Sequence, residues 1–229
     1  MQFIISLFLF FFLLVNNLFS APTCGTIFPG RNKFQWGIAI NSIQKYRMKG
    51  AVNKIDLKSN QMFLTLNYGI LDKFVFDGKL GIGDIRDDCI NNNSLDYDTG
   101  WGGGYGVRLK LYENETKKMG FILGAHHISI HPPSEELNSV KYKSILDDNQ
   151  LDCIFFKRFD LWTPYMGFKV SRSRLLRREN NDDSSSLHSP WKAGVVLGID
   201  LSFFENTYLN LETRFIDENS FTISLSHRF

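Results

Sequence analysis

Beyond residue 33 the apolar residues fall at every second position in stretches of about ten, the period of a strand with one greasy and one polar face. The last stretch shows it most plainly. Phe221, Ile223, Leu225 and Phe229 share one face, and Thr222, Ser224, Ser226 and Arg228 the other. Before it, Leu209, Leu211, Thr213 and Phe215 alternate with Asn210, Glu212 and Arg214. Earlier still, Ala193, Val195, Leu197, Ile199 and Leu201 alternate with Lys192, Gly194, Val196, Gly198 and Asp200. The pattern predicts ten strands, at 34–46, 61–71, 74–83, 101–112, 119–130, 149–158, 163–173, 191–202, 208–217 and 220–229. Those at 119–130 and 149–158 carry apolar residues at both parities, so their faces stay unassigned. Residues 217–220 are expected to make the tight turn of the last hairpin.

The connections then sort by length. Those at 72–73, 113–118, 159–162 and 203–207 are short, while 47–60, 84–100, 131–148 and 174–190 are long and polar; the ninth is a short exception. Short turns at one end and long loops at the other are the habit of a membrane barrel, whereas a soluble sandwich has no reason to segregate them. The expected fold is all-β: a closed antiparallel up-and-down transmembrane β-barrel of about ten strands, with eight as the alternative. The polar face carries Asp77, Lys79, Arg108, Lys110, Lys192, Asp200, Glu212, Arg214 and Arg228. A Lys or Arg facing lipid at mid-membrane costs about 2–4 kcal/mol, so these mixed charges are expected to face the lumen and neutralise one another. Trp36, Trp162, Tyr208 and Phe229 fall near the short-turn end and Trp101 and Trp191 near the loop end, as two aromatic girdles at the headgroup level would.

The N-terminus adds an address. Residues 3–15 are an unbroken apolar run, followed by Asn16-Asn17 and the small pair Ser20-Ala21, although no Lys or Arg precedes the run. Its length suits a cleaved signal peptide at 1–21 and is short for a membrane-spanning helix. A short segment at 22–33 would then lead into a barrel at 34–229. Cys24 follows the expected cut, but Ala21-Pro22-Thr23 does not make a lipobox, and no CxxC joins Cys24, Cys89 and Cys153, which the topology sets far apart. The 229 residues fit one domain, and a net charge of +2 implies no nucleic-acid partner. With 21 Phe, 8 Tyr, 4 Trp and 18 Gly against 6 Pro, the composition suits a barrel, where small residues let a sheet curve and rings line interfaces.

Candidate chemistry is sparse. Gly100-Trp101-Gly102-Gly103-Gly104-Tyr105-Gly106 lacks the strand–helix context of a nucleotide loop; Gly102, Gly104 and Gly106 share a strand face that admits bulky neighbours or bending. His126 and His127, adjacent in a strand, point to opposite faces and cannot chelate one ion together. The pairs Asp87-Asp88, Asp147-Asp148 and Asp182-Asp183 are assigned to long loops, with His131 and His188 as the loop histidines. Arg172, Arg174, Arg177 and Arg178 cluster at the top of the seventh strand, where guanidinium groups suit lipid phosphates, although Glu179, Asp182 and Asp183 offer local balance. Asn92 and Asn114 head N-x-Ser/Thr sequons.

The terminal SFTISLSHRF resembles the C-terminal signature by which bacterial outer-membrane proteins are recognised for insertion, with Phe221, Ile223, Leu225 and Phe229 as its apolar positions. YGILDKFVFDGKLGIG at 68–83 and GVVLGIDLSFFENTYLNLETRF at 194–215 resemble periplasmic-turn hairpins of the same outer-membrane β-barrel family, in its small porin-like or OmpA-type form. The resemblance implies outer-membrane residence, contact with lipid and lipopolysaccharide, and insertion by the assembly machinery. It carries over no active site, because such barrels serve as adhesins, anchors, pores and enzymes. Outer-membrane proteases of the omptin type place acidic pairs and a histidine above the rim, but this chain is shorter and has no matching motif. The expectation is a monomeric, non-enzymatic barrel with a largely filled lumen, acting in structure or in surface interaction through its long loops. No cofactor, metal or catalytic set is expected, nor a periplasmic domain after the last strand. The alternatives are a narrow pore for small solutes and, behind it, a protease or a soluble exported ligand-binding barrel.

Overall fold

Each of the ten alternating stretches folds as a strand and pairs antiparallel with the next, and the last returns to the first. In the computed structural model residue 22 and residues 25–49, 54–90, 93–137, 139–180, 185–189 and 192–229 are described, with positions 54, 88–90, 93–94 and 185 as backbone alone. The expected leader at 1–21, Cys24, Asn92, Asp182, Asp183 and Trp191 therefore lie outside the described residues, as do the side chains of Asp88 and Cys89. The strands are β1 (Phe34–Lys49), β2 (Lys54–Leu71), β3 (Phe74–Ile90), β4 (Asn93–Asn114), β5 (Met119–His131), β6 (Glu135–Leu137), β7 (Val140–Lys157), β8 (Trp162–Glu179), β9 (Ser185–His188), β10 (Lys192–Phe204), β11 (Thr207–Phe215) and β12 (Glu218–Arg228). β6 and β9 are short additions; the other ten close into a barrel when β12 pairs with β1 from Gln35↔Arg228 to Tyr46↔Glu218.

The long polar loops of the sequence reading are corrected. Residues 47–60, 84–100, 131–148 and 174–190 are largely strand, because β1–β2, β3–β4, β5–β7 and β7–β8 keep pairing well past the expected ends. Asp87 and Asp147-Asp148 thus stand in strands, and His131 closes β5. The last turn also shifts. It lies at Ile216-Asp217, with Arg214 already paired to Ser220 and Ile216 held at φ 83°.

The extra strand length was hidden because the sense of the alternation inverts. On β2 the outward residues are Met62, Leu64 and Leu66 near the short-turn end but Asp56, Lys58 and Asn60 beyond it, while inward positions turn from Thr65 and Asn67 to Ile55 and Leu57. β1 makes the same change at a bulge between Ile43 and Lys45: Ile38 and Ile40 face out, whereas Ile43, Tyr46 and Met48 face in. β4 does so at a break in register between Tyr97 and Gly100, with Tyr97 inward and Trp101 outward. In β1 and β4 an extra residue re-aims the later side chains, whereas on β2 the facing is unbroken and the residue types change; either way the strand serves two environments.

The barrel therefore has two tiers. β10, β11 and β12 stop early at the upper end, and β9 takes their place by pairing with β8 (Arg174↔His188 to Arg177↔Ser185) and with β1 (Lys49↔His188). This narrower upper tier is filled by an apolar core that includes Tyr46, Leu57, Ile85, Tyr97, Leu146 and Leu175. A second apolar cluster sits near the short turns, around Val75, Ile122, Ile154, Phe156, Tyr165 and Phe28.

Candidate functional site

The barrel interior is where charge and chemistry gather. All nine charged residues read from the polar face stand on inward positions, although Lys110, Lys192 and Arg228 lie near the ends and are only partly buried. Arg108 and Asp77, both fully buried, form a two-pronged pair with Nε–Oδ2 and Nη2–Oδ1 distances of 2.8 Å. Lys169, unremarked in the sequence, bridges Asp217 (2.9 Å) and Glu218 (2.7 Å), and Arg214 reaches Glu218 at 3.0 Å. The Tyr165 hydroxyl donates to Glu212 (2.9 Å) and accepts from Asn210, which also donates to Asp200. Lys110 pairs with Glu113, Lys192 donates to the Arg47 carbonyl, and Arg228 donates to Asn206 while lying over the Tyr208 ring. Buried ions are tolerated only when paired and hydrogen-bonded, and that condition explains the density of this network.

The segment after residue 21 belongs to the site as well. It runs up the lumen from the short-turn end: Asn32 donates its backbone N–H to Gly69, Phe28 is buried under Arg108, and Arg108 Nη1 donates to the carbonyls of Gly25 (2.9 Å) and Ile27 (3.2 Å). Thr26 gives Asp200 both its backbone N–H (2.7 Å) and its hydroxyl (2.6 Å). Higher up, Lys79 donates to the Pro22 carbonyl at 2.9 Å. Between this segment and β1, β2, β11 and β12 remains a cavity of about 20 Å³, lined by Pro22, Ile27, Ala39, Phe63, Thr65 and Tyr208 among others. That is room for about one water. The sequence reading had taken 22–33 only as a leader into the barrel; Ile27 and Phe28, apolar in a polar stretch, were the available hint.

The inner glycines of β4 seat the residues of β5. A side chain on Gly106 would overlap the His126 ring, and one on Gly102 or Gly104 would strike Ile130 or Ile128. His126 is buried 3.3 Å from Asp152, while its neighbour His127 faces outward against Tyr105. The acidic pairs split in the same way. Asp87 points in to Arg177 and Asp148 accepts from Ser173, whereas Asp147 faces out. Outside, Ser129 donates to Asp147 (2.6 Å) and contacts His131 Nε2 (2.9 Å), so the carboxylate holds the hydroxyl rather than orienting the imidazole as a hydrolytic triad requires. His188 pairs with Ser186; burial, then Arg174 and Arg172, lowers its pKa. Arg172, Arg174 and Arg178 face outward and do not converge with Arg177.

The outer face decides the class. Around the lower tier, Ile38, Leu64, Leu80, Phe168, Leu197 and Leu225 are exposed, between 38 % and 75 %, with other apolar residues at equivalent positions. Four or five outward positions per strand, at about 3.3 Å per residue and the usual tilt, make an apolar band on the order of 25 Å tall. Above it the outward residues turn charged. The chain is a transmembrane β-barrel. Of the expected girdle, Trp36 (43 % exposed) and Phe229 (67 %) stand outward near the short turns, Trp162 stacks on Phe159 with ring centroids 4.5 Å apart, and Trp101 stacks on His131 at 3.9 Å at the upper edge. Tyr208 is the correction: it shares parity with Asn210 and Glu212 and faces the lumen. Phe221, Ile223 and Leu225 lie on the outer face of β12.

No protein-family model and no curated protein matches the sequence. Among solved structures, the chain is similar to the outer membrane protease OmpT of Escherichia coli (10 % identity over 91 % of this chain and 100 % of that one, TM-score 0.49). It is also similar to the COG4313 outer membrane channel of Pseudomonas putida F1 (10 %, 93 % and 98 %, TM-score 0.45) and to OprG of Pseudomonas aeruginosa (11 %, 89 % and 99 %, TM-score 0.44). One of these is named a protease and another a channel. A barrel fold by itself fixes no role.

Proposed function

We propose that this barrel is a non-conducting, non-catalytic anchor, a monomer that holds its upper tier above the outer membrane for interaction at the cell surface. The observation that carries the reading is the filled lumen. Residues 25–33 occupy the lower part, the ion-pair network the middle, and the apolar core around Tyr46, Leu57 and Tyr97 the top. The competing reading, a narrow pore, would need Arg108 and Arg214 to meet passing solute, but both are fully buried against Asp77 and Glu218.

Single-channel recording in planar bilayers tests it. The full chain is expected to give no steady conductance, and so is a variant lacking residues 25–33, because the apolar upper tier still blocks the path. A large, steady conductance from the full chain would overturn the anchor reading. Conductance from the shortened variant alone would recast the N-terminal segment as a removable plug.

A further inference from the structure

At the short-turn end, the β4–β5 turn at 115–118 and the β7–β8 turn at 158–161 lie side by side, pinned by a hydrogen bond from the Arg158 N–H to the Lys118 carbonyl (2.6 Å). Between them opens a groove of about 470 Å³ whose lining includes Lys117, Lys118, Lys157, Arg158, Asp160 and Trp162. Four cations thus face one carboxylate. Arg158 is engaged by Glu113 (2.7 Å), but the Lys118–Asp160 pair (3.0 Å) is so exposed, at 56 % and 91 %, that it holds its partners weakly. Lys117 and Lys157 are exposed, Lys157 lying 5.4 Å above the Phe159 ring.

The place of Lys157 matters most. It continues the outward row of Leu151, Cys153 and Phe155 on β7 and pairs across from Met119, so the groove opens onto the lipid-facing belt. The stacked Phe159 and Trp162 mark headgroup depth beside it. A soluble anion has no use for such an opening, whereas a lipid needs both a cationic pocket and an apolar wall.

We propose that this groove holds the phosphate of an anionic phospholipid in the leaflet at the short-turn end, with the acyl chains lying against Phe121 and Phe155. Those two rings pack 5.2 Å apart on adjacent strands directly above it. The short turns of such barrels face the periplasm, so the ligand belongs to the inner leaflet and is distinct from any lipid at the upper rim.

The test uses the full chain purified in a neutral detergent. It is titrated with phosphatidylglycerol or phosphatidylcholine carrying brominated acyl chains, and quenching of tryptophan fluorescence is read, with Trp162→Phe identifying the part due to the groove. Phosphatidylglycerol is expected to quench Trp162 at the lower concentration. Lys117→Ser with Lys157→Ser should weaken that binding roughly twenty- to thirty-fold, about five-fold per lysine near a charged lipid surface, and leave phosphatidylcholine unchanged. Lys143→Ser with Arg178→Ser, at the other end of the barrel, should change nothing. Each variant is first checked for its folded, faster-migrating band on an unboiled gel, and Lys157→Ser alone replaces the double variant if that fails. Equal quenching by the two lipids, or equal loss from the distant pair, would overturn the proposal. Displacement by inorganic phosphate as effective as by phosphatidylglycerol would assign the groove to a free anion instead.

Discussion

At the scale of single residues, the interior is governed by the cost of leaving a charge alone. Asp77→Ala strands a fully buried Arg108 guanidinium, and the loss of one partner of a buried pair costs about 3–5 kcal/mol. The midpoint of unfolding in detergent, followed by the gel shift between unboiled and boiled samples, should fall accordingly. Asp77→Leu with Arg108→Met should recover most of it; no recovery would mean that the pair does more than satisfy itself. Glu218, above the belt at the start of β12, adds a pH dependence. Burial pushes its carboxyl up, but Arg214 and Lys169 more than offset this and hold the pKa at about 2, below the ordinary 4.5. A depressed pKa gives stability that is whole above 4.5 and is lost as pH falls toward 2. Unfolding midpoints should therefore drop across that window, and Glu218→Gln should flatten the drop. Parity sets the nine charges on one face of their strands, because a charge turned to lipid is so expensive. Lys169, Asp217 and Glu218 were not read there: Lys169 sits in a strand given no face, and the acids fall where a turn was expected.

At the scale of elements, the alternation revealed ten strands but not their full length. On β2 the apolar positions run 62, 64 and 66 and then 57 and 55, a change of parity that reads as an interruption when only one environment is assumed. The strand is continuous; what changes is the solvent outside it, from lipid to water. Sequence periodicity also said nothing of 22–33, because a segment packed inside a barrel borrows its partners from strands far along the chain, such as Asp200 and Arg108. The inversion predicts opposite tolerances six residues apart. Leu64→Arg places a cation in the lipid belt and should cost about 2–4 kcal/mol, while Lys58→Leu, outward in the watery tier, should stay within about 0.5 kcal/mol. Equal costs, measured by the same unfolding assay, would place both residues in one environment.

At the scale of the whole molecule, the chain combines two barrels that usually occur apart: one with its grease outside, for lipid, and one with its grease inside, as in water-soluble proteins. The bulges in β1 and β4 and the insertion of β9 between β8 and β1 make the change possible without breaking the wall. In the proposed reading, the closed upper tier makes the molecule a post rather than a conduit. The most direct test is cysteine labelling in intact cells, on a background with Cys24, Cys89 and Cys153 replaced by serine. A water-soluble maleimide too large to cross the membrane is added to cells carrying Lys58→Cys, Leu57→Cys or Leu64→Cys. Labelling is expected at 58 and at neither 57 nor 64, the first of these hidden in the upper core and the second in lipid. Labelling at 64 as fast as at 58 would contradict it, because the apolar belt would then be open to water.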